Sequence, residues 1–207
     1  MSGQLFWVDL ETLGLKAQSP VIEVALAVTD YNLNVIDEVS WTVWGGAQES
    51  GFAALPEDDW ARNTHLSSGL INEAIREGQH LHVVERQAVE WIKERGIEDK
   101  APLCGASVHA DRTWMVEQMP DLIGTFGYRN IDVSSFKETC ARFNSRMFAF
   151  MEDDVILALT NQYSGTSGEA EYGHGVAHRG TMDLRWSIFE MRWYQDNFLF
   201  VDLPDNE

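Results

Sequence analysis

The sequence predicts an α/β fold in which a mixed β-sheet is flanked by α-helices. The first third of the chain consists of apolar, strand-like segments separated by short turns, which is typical of an antiparallel meander. From residue 81 onward, helical patterns alternate with short apolar segments, and this alternation indicates an α/β sheet. A length of 207 residues with 44% hydrophobic content suffices for a buried core. We therefore expect one domain that spans residues 1–207.

Three strands are predicted in the first third, at Leu5–Asp9, Val21–Thr29 and Val35–Trp44. A turn at Asn32–Asn34 joins the second strand to the third. Because this connection is so short, the two strands are expected to be antiparallel neighbours. The pattern over residues 54–75 is mixed, and a helix is expected to begin near Trp60.

The remaining elements alternate in type along the chain. A helix is predicted at Leu81–Arg95, because its apolar residues recur at three- and four-residue spacings and a glycine follows it. The other predicted elements are a strand at Pro102–Gly105, a helix at Asp111–Met119, a strand at Ile131–Val133, a helix from Ser134 or Ser135 to Phe143, and a closing helix at Gly180–Asn197. Residues 144–175 fit neither pattern, and we interpret them as an insertion with a mobile second half.

Charge and composition limit the partners of the protein. Acidic residues outnumber basic ones by 33 to 15, which gives a net charge of -18. This charge repels long polyanions and excludes tight binding of long duplex nucleic acid. A nucleic-acid substrate would have to be short and held by metals and a few side chains. The sequence contains neither a membrane-spanning apolar stretch nor a secretory signal pattern, which predicts a soluble, cytoplasmic protein without membrane contact. The two cysteines form no CxxC pair.

Two acids, Asp9 and Glu11, lie two residues apart on a strand rich in apolar residues. Their side chains therefore project from the same face of that strand. One interpretation is the solvent-exposed face of an edge strand, because buried carboxylates are costly. The strand ends at Gly14, however, where a ligand could approach the backbone closely, and this favours a binding site.

Three further residues become informative in combination. Asp111 alone is typical of a helix cap, Asp183 of a first helical turn, and His178 of a surface loop. Together with the two acids of the first strand, they match a site for two oxygen-preferring cations that act on a phosphodiester. Such a site needs about four carboxylates, and a histidine beside them suits a general base. Magnesium or manganese is expected, and zinc is disfavoured by the oxygen-rich ligand set.

Longer motifs resemble a known family. The run FWVDLETLGL resembles the first motif of the DEDDh exonucleases, and DDWARNTHLSSGLI resembles a segment particular to oligoribonucleases. Similar landmarks follow in order: LCGASVHADRTWM, YRNIDVSSFKE and HRGTMDLRWSIFEMRWYQDNF. The last keeps a histidine and an aspartate at the family's H-x4-D spacing, and the resemblance covers nearly the whole chain except residues 144–175.

The resemblance implies a ribonuclease H-like fold and 3′-to-5′ hydrolysis of short RNA, especially dinucleotides, to nucleoside 5′-monophosphates with two cations, Mg²⁺ or Mn²⁺. It also implies a homodimer. The implied catalytic residues are four metal-binding carboxylates and one general base: Asp9, Glu11, Asp111, Asp183 and His178. The implied substrate contacts are Leu15, Trp60 and His65 around the bases, Ser107, Arg129, Ser134 and Ser135 around the 5′ phosphate, and Tyr128 from the partner subunit.

The sequence also departs from the family pattern. Ala106 replaces an asparagine, Ala110 replaces a glutamine, and the segment between Phe143 and His178 is longer than usual. Both alanines remove an amide near the site. Two other functions remain open: an exonuclease on single-stranded DNA with the same five catalytic residues, and a catalytically silent nucleic-acid-binding module. The matched phosphate contacts disfavour the first, and the complete catalytic set disfavours the second.

Overall fold

A computed structural model describes residues 3–44, 60–151 and 179–199. Within these residues the chain forms a five-stranded mixed sheet with the strand order β3-β2-β1-β4-β5. Helices lie on both faces of the sheet, so the predicted α/β class is confirmed.

The first three strands form the antiparallel part of the sheet. They are β1 (Gln4–Thr12), β2 (Val21–Asp30) and β3 (Val35–Thr42), and β2 pairs with both others. In the predicted turn between β2 and β3, the Asp30 carboxylate accepts two backbone N–H groups at 2.9 Å. Leu33 adopts a left-handed conformation with a φ of 61°. This local bonding fixes the tight connection that the sequence predicts.

The parallel part of the sheet follows on the other side of β1. Strand β4 (Leu103–Gly105) pairs with β1, and β5 (Asn130–Asp132) pairs with β4. The helices are α1 (Trp60–Ser67), α2 (Leu70–Glu77), α3 (Leu81–Glu94), α4 (His109–Gln118), α5 (Pro120–Ile123), α6 (Val133–Phe143) and α7 (Gly180–Tyr194). A π-helical turn at Gln195–Leu199 continues α7.

Strand β1 lies in the centre of the sheet, and its alternating side chains enter two different cores. Phe6, Val8 and Leu10 pack on one face, in the core that α3 and α4 cover. Trp7 points to the opposite face, which α6 and α7 cover. Asp9 has the same parity as Trp7, so it also faces α7. The two acids of β1 therefore do not lie on an edge strand.

Helix α7 approaches the sheet closely because small residues lie beneath it. Ala25 of β2 is fully buried and pairs with Asp9 in the antiparallel register. A Cβ at Gly180 would lie 2.6 Å from the Cβ of Ala25 and 3.5 Å from Oδ2 of Asp9. The helix thus begins in direct contact with the strands that carry the acids. Its buried residues include Leu184, Ile188, Met191 and Tyr194.

Several element bounds differ from the sequence prediction. Strand β1 continues to Thr12, three residues beyond the predicted end, because its ladder with β2 extends past Asp9 through Glu11. The proposed insertion begins with a helical segment at residues 145–151, where Met147 and Met151 pack against the core on the α7 face. The remainder of the insertion, to residue 175, lies outside the described residues.

No helix in the described part of the chain is both long and apolar enough to cross a bilayer.

We predict that Gly180→Ala lowers the free energy of unfolding by about 1–3 kcal/mol, since the added methyl overpacks the contact between α7 and β2. Urea denaturation measures this change. Gly124→Ala is the matched control, because its Cβ would meet no atom closer than 3.1 Å and its φ of -63° suits alanine. An equal cost at both positions would contradict the close packing of α7.

Candidate active site

The end of β1 supplies the first two acids of the site. Asp9 and Glu11 both face α7, and Glu11 is 8% exposed. The strand then turns away sharply, because Leu13 donates its N–H to the carbonyl of Pro20 at 2.9 Å and the Thr12 hydroxyl donates to the carbonyl of Gly14 at 2.9 Å. The two carboxylates therefore lie where the strand ends.

The first turn of α7 adds a third acid. Oxygen atoms of Asp9, Glu11 and Asp183 all lie within 4.8 Å of one another. Asp183 reaches this position because α7 begins against β2, one turn before it. Three carboxylate oxygens this close together form a donor set that suits a hard divalent cation.

Asp111 joins the site from α4. It lies in the first turn of that helix and is 6% exposed. Its Oδ1 accepts the N–H of Leu10 at 3.0 Å. Leu10 is the residue between the two acids of β1, so Asp111 is held beside them. It lies outside the group of three carboxylates within 4.8 Å.

The four carboxylates are electrostatically unfavourable neighbours. Burial raises the pKa of Asp9 well above its usual value, and the charges of Asp111, Glu11 and Asp183 raise this pKa further. Burial and the charge of Asp183 raise the pKa of Glu11 to about 9. Burial also raises the pKa of Asp111 to about 7, although the bond from Leu10 opposes the shift. A bound dication would relieve this repulsion, so the residues fit a divalent metal.

A cavity of about 290 Å³ opens beside these acids. Its lining residues are Asp9, Leu10, Glu11, Ala106, Asp183, Trp186 and Ser187. Sequence reasoning did not identify Trp186 and Ser187, although they follow Asp183 by three and four residues and helical periodicity would place them on the same face. The methyl group of Ala106 lines the cavity at the position where the family has an amide.

His65 is placed differently from the other proposed substrate contacts. It is 2% exposed, and its Nε2 lies 3.0 Å from the carbonyl oxygen of Thr12 and 3.6 Å from Oε2 of Glu11. The Nε2–H therefore donates to the end of β1. This histidine contacts the strand that carries the acids, which supports the position of Glu11.

Leu15 and Trp60 are large apolar residues whose side chains are exposed to solvent. Leu15 is 94% exposed and Trp60 is 68% exposed. Their exposure is compatible with the proposed base contacts.

Two of the four proposed phosphate contacts, Ser107 and Ser134, meet at Asp132, which sequence reasoning missed. Oδ1 of Asp132 accepts the N–H of Ser107 at 2.9 Å and that of Ser134 at 3.0 Å. The Ser107 and Ser134 hydroxyl oxygens lie 2.9 Å apart. Ser107 has a φ of 51°, an uncommon conformation that this bonding stabilises. The position of Asp132 before α6 is typical of a helix N-cap, and this signal could have identified it.

The other three proposed contacts lie close to β5 in sequence and are exposed. Ser135 follows in the first turn of α6, and Arg129 and Tyr128 immediately precede β5. The guanidinium carbon of Arg129 lies 4.6 Å from the centre of the Tyr128 ring, which is a cation–π contact. Tyr128 is 77% exposed, so its ring is accessible at the surface of a single chain.

His178 lies outside the described residues, and its role as general base stays a prediction. Arg179, which follows it in sequence, is described and binds two glutamates, Glu23 and Glu73.

Comparison with known proteins supports the same assignment. The RNase_T family of exonucleases matches residues 6–155. The oligoribonuclease of Chromobacterium violaceum is 33% identical over 97% of this chain and 98% of its own length. That of Aeromonas hydrophila is 35% identical over 93% of this chain and 94% of its own length.

Solved structures of exonuclease I show a similar fold. One structure of exonuclease I has a TM-score of 0.58 at 15% identity, and the Escherichia coli enzyme in complex with a dT13 oligonucleotide has a TM-score of 0.61 at 14% identity. The alignments cover 94% and 96% of this chain but only 41% and 42% of exonuclease I. At this identity the likeness establishes the fold alone, which is ribonuclease H-like as expected. On its motifs and its full-length relatives, this chain is a nuclease that belongs to the oligoribonuclease family of DEDDh exonucleases.

Proposed function

We propose that this protein is a 3′-to-5′ exoribonuclease that hydrolyses short RNA, especially dinucleotides, to nucleoside 5′-monophosphates with two divalent cations, Mg²⁺ or Mn²⁺. One observation carries the proposal: acids from β1 and α7 meet within 4.8 Å, in a chain whose full-length relatives are oligoribonucleases. The cytoplasmic location and the homodimeric state stay predictions from the sequence.

The cations would be held by Asp9, Glu11, Asp111 and Asp183. When bound, they supply charge that favours deprotonation of a water and stabilises the leaving oxygen. The protein's own groups have separate tasks in this proposal. The imidazole of His178 accepts the proton of the attacking water. His65 holds the end of β1, and the Asp111 side chain holds the backbone between Asp9 and Glu11.

The phosphate end of the substrate would be bound by neutral and cationic donors. Ser107 and Ser134 present adjacent hydroxyls, and Arg129 adds a forked donor that suits a terminal phosphate. Trp60 provides an exposed ring on which a base can stack. A net charge of -18 gives a longer RNA little further attraction, and so a short substrate is favoured.

A second candidate is an exonuclease on single-stranded DNA. It is favoured by the structural likeness to exonuclease I, whose solved complexes contain DNA oligonucleotides. RNA and DNA dinucleotides of the same sequence distinguish the two functions, because only RNA presents a 2′-hydroxyl. The proposed function requires faster hydrolysis of the RNA.

Metal affinity should rise with pH between about pH 6 and pH 9. Glu11 and Asp111 have pKa values raised to about 9 and about 7, so protons compete with the cation below those values. Titration calorimetry with Mn²⁺ in two buffers of different ionisation enthalpy measures both affinity and proton release. Binding that releases no proton at pH 7 and does not vary with pH would contradict the raised pKa values.

Asp9→Asn should reduce turnover to below about 1% of wild type, because it removes a charged metal ligand. Without metal, the variant should be more stable than wild type at pH 8. The raised pKa of Asp9 means that its ionisation destabilises the fold as pH rises above the unfolded value, and asparagine cannot ionise. This gain should vanish near pH 3, where the wild-type carboxyl is protonated.

Thermal unfolding with chelator at both pH values measures the stability change. Asp99→Asn is the matched control, since Asp99 is exposed and lies outside the acid cluster. Retained turnover in Asp9→Asn at saturating Mg²⁺ would contradict the metal-binding role of Asp9.

Dinucleotides with a 5′ phosphate should be hydrolysed faster than RNAs of about seven nucleotides at equal concentration. Arg129→Ala should slow dinucleotide hydrolysis by about 10-fold or more and heptamer hydrolysis less, because a terminal phosphate carries more charge than an internal diester. Single-turnover assays with 5′-labelled RNAs measure both rates. Arg76→Ala, which removes an exposed arginine of α2, is the control. Equal losses on both lengths would contradict the phosphate role of Arg129.

A further inference from the structure

Arg179 joins the start of α7 to two other elements. Its Nη1 donates to Oε2 of Glu73 on α2 at 2.8 Å, and its Nη2 lies 3.2 Å from Oε1 of the same carboxylate. Nη2 also lies 3.3 Å from Oε1 of Glu23 on β2. A single guanidinium thus connects a strand and a helix at the position where α7 begins.

Glu23 is a fully buried carboxylate at this junction. It has 0% exposure and pairs with Glu11 in the antiparallel register, so it lies on the face that carries the acids. Its Oε2 accepts the N–H of Gly180 at 2.9 Å, and its Oε1 binds Arg179. A buried carboxylate is tolerated only where it is paired and hydrogen-bonded, and both conditions are met here.

Glu23 is therefore distinct from the proposed metal ligands, although it is near them. Each of its oxygens already binds a donor from the start of α7, and it is absent from the group of carboxylates within 4.8 Å. Its bond to Gly180 satisfies an N–H group that the first turn of α7 leaves without an intrahelical partner. The Glu23 carboxylate holds the first turn of α7, and that turn carries Asp183.

We propose that Glu23, Arg179 and Glu73 form a clamp that sets where α7 enters the site, so that Asp183 meets the acids of β1. Arg179 and its partners are positioning residues in this proposal, since none is assigned to the substrate or the metal. The proposal rests on the proposed function for the role of Asp183 as a metal ligand. The position of Asp183 follows from the described contacts alone.

The packing of α7 explains why a clamp is needed. Gly180 touches Ala25 and lies near Asp9, so a small shift of the helix start displaces Asp183 by a similar amount. Burial of the apolar face of α7 holds the helix against the sheet, but apolar contacts are non-directional. The forked bonds of Arg179 and the bond to Gly180 add direction to that packing.

The test compares Arg179→Met, Arg179→Lys and Glu73→Gln with wild type. Three quantities are measured: Mn²⁺ affinity by calorimetry, kcat and KM on an RNA dinucleotide, and thermal stability with chelator.

Arg179→Met should weaken Mn²⁺ binding and lower kcat, each by about 10-fold or more, with KM changed by less than about 3-fold. Arg179→Lys should recover part of both losses because it keeps the charge but not the fork. Glu73→Gln, which leaves no buried charge unpaired, keeps the test valid if Arg179→Met does not fold.

Arg95→Met is the matched control. Arg95 also bridges a helix and a strand, since it donates to Asp37 of β3 at 2.9 Å and to the Trp91 carbonyl of α3 at 2.9 Å. Its side chain is 24% exposed, against 30% for Arg179. The control should lose stability with unchanged Mn²⁺ affinity and kcat.

Two results would overturn the clamp: wild-type Mn²⁺ affinity and kcat in folded Arg179→Met and Glu73→Gln, or losses in Arg95→Met that equal those in Arg179→Met. The proposed function fails separately, if wild type binds Mn²⁺ but hydrolyses no RNA. In that case the Mn²⁺ affinities of the same variants still decide whether the clamp positions Asp183.

Discussion

Mutual repulsion of carboxylates on a buried central strand is the constraint on which the site depends. Asp9 and Glu11 extend from β1 on the face that otherwise buries Trp7 and Ala25. Burial and neighbouring charge raise the pKa values of both acids, which shows that the apo fold holds them in an unfavourable arrangement. The surrounding core has to be stable enough to hold this arrangement. The rest of the sheet supplies that stability through apolar packing on both faces.

The fold meets this constraint by bonding the backbone around the acids. Asp111 accepts an N–H from the residue between them, and His65 donates to the carbonyl just after them. Glu23, on the neighbouring strand β2, accepts an N–H from the start of α7. Three ionisable side chains thus fix the backbone around Asp9, Glu11 and Asp183.

The sequence was sufficient to predict the antiparallel arrangement of the first three strands and the residues that form the acid cluster. Period-two alternation placed Asp9 and Glu11 on one face, but it could not show that β1 is central, because strand pairing is a non-local property. Asp132 was missed because its bond to Ser107 joins residues that lie 25 positions apart, and a capping signal shows only the local bond to Ser134. His65 was expected near the bases, and its buried contact with Thr12 depends on how α1 packs, which local pattern does not encode.

The two ends of a short RNA would meet different kinds of chemistry in this protein. The acid cluster needs cations to approach a phosphodiester, because its own charge repels one. In the proposed function the phosphate contacts would need none, because the hydroxyls of Ser107 and Ser134 and the guanidinium of Arg129 supply the donors. An acidic protein can thus bind a polyanion without a basic surface, provided that the ligand is short enough to contact only these two places. A preference for short RNA would then follow from the lack of attraction elsewhere on the surface. It would not require a structural barrier that excludes longer RNA.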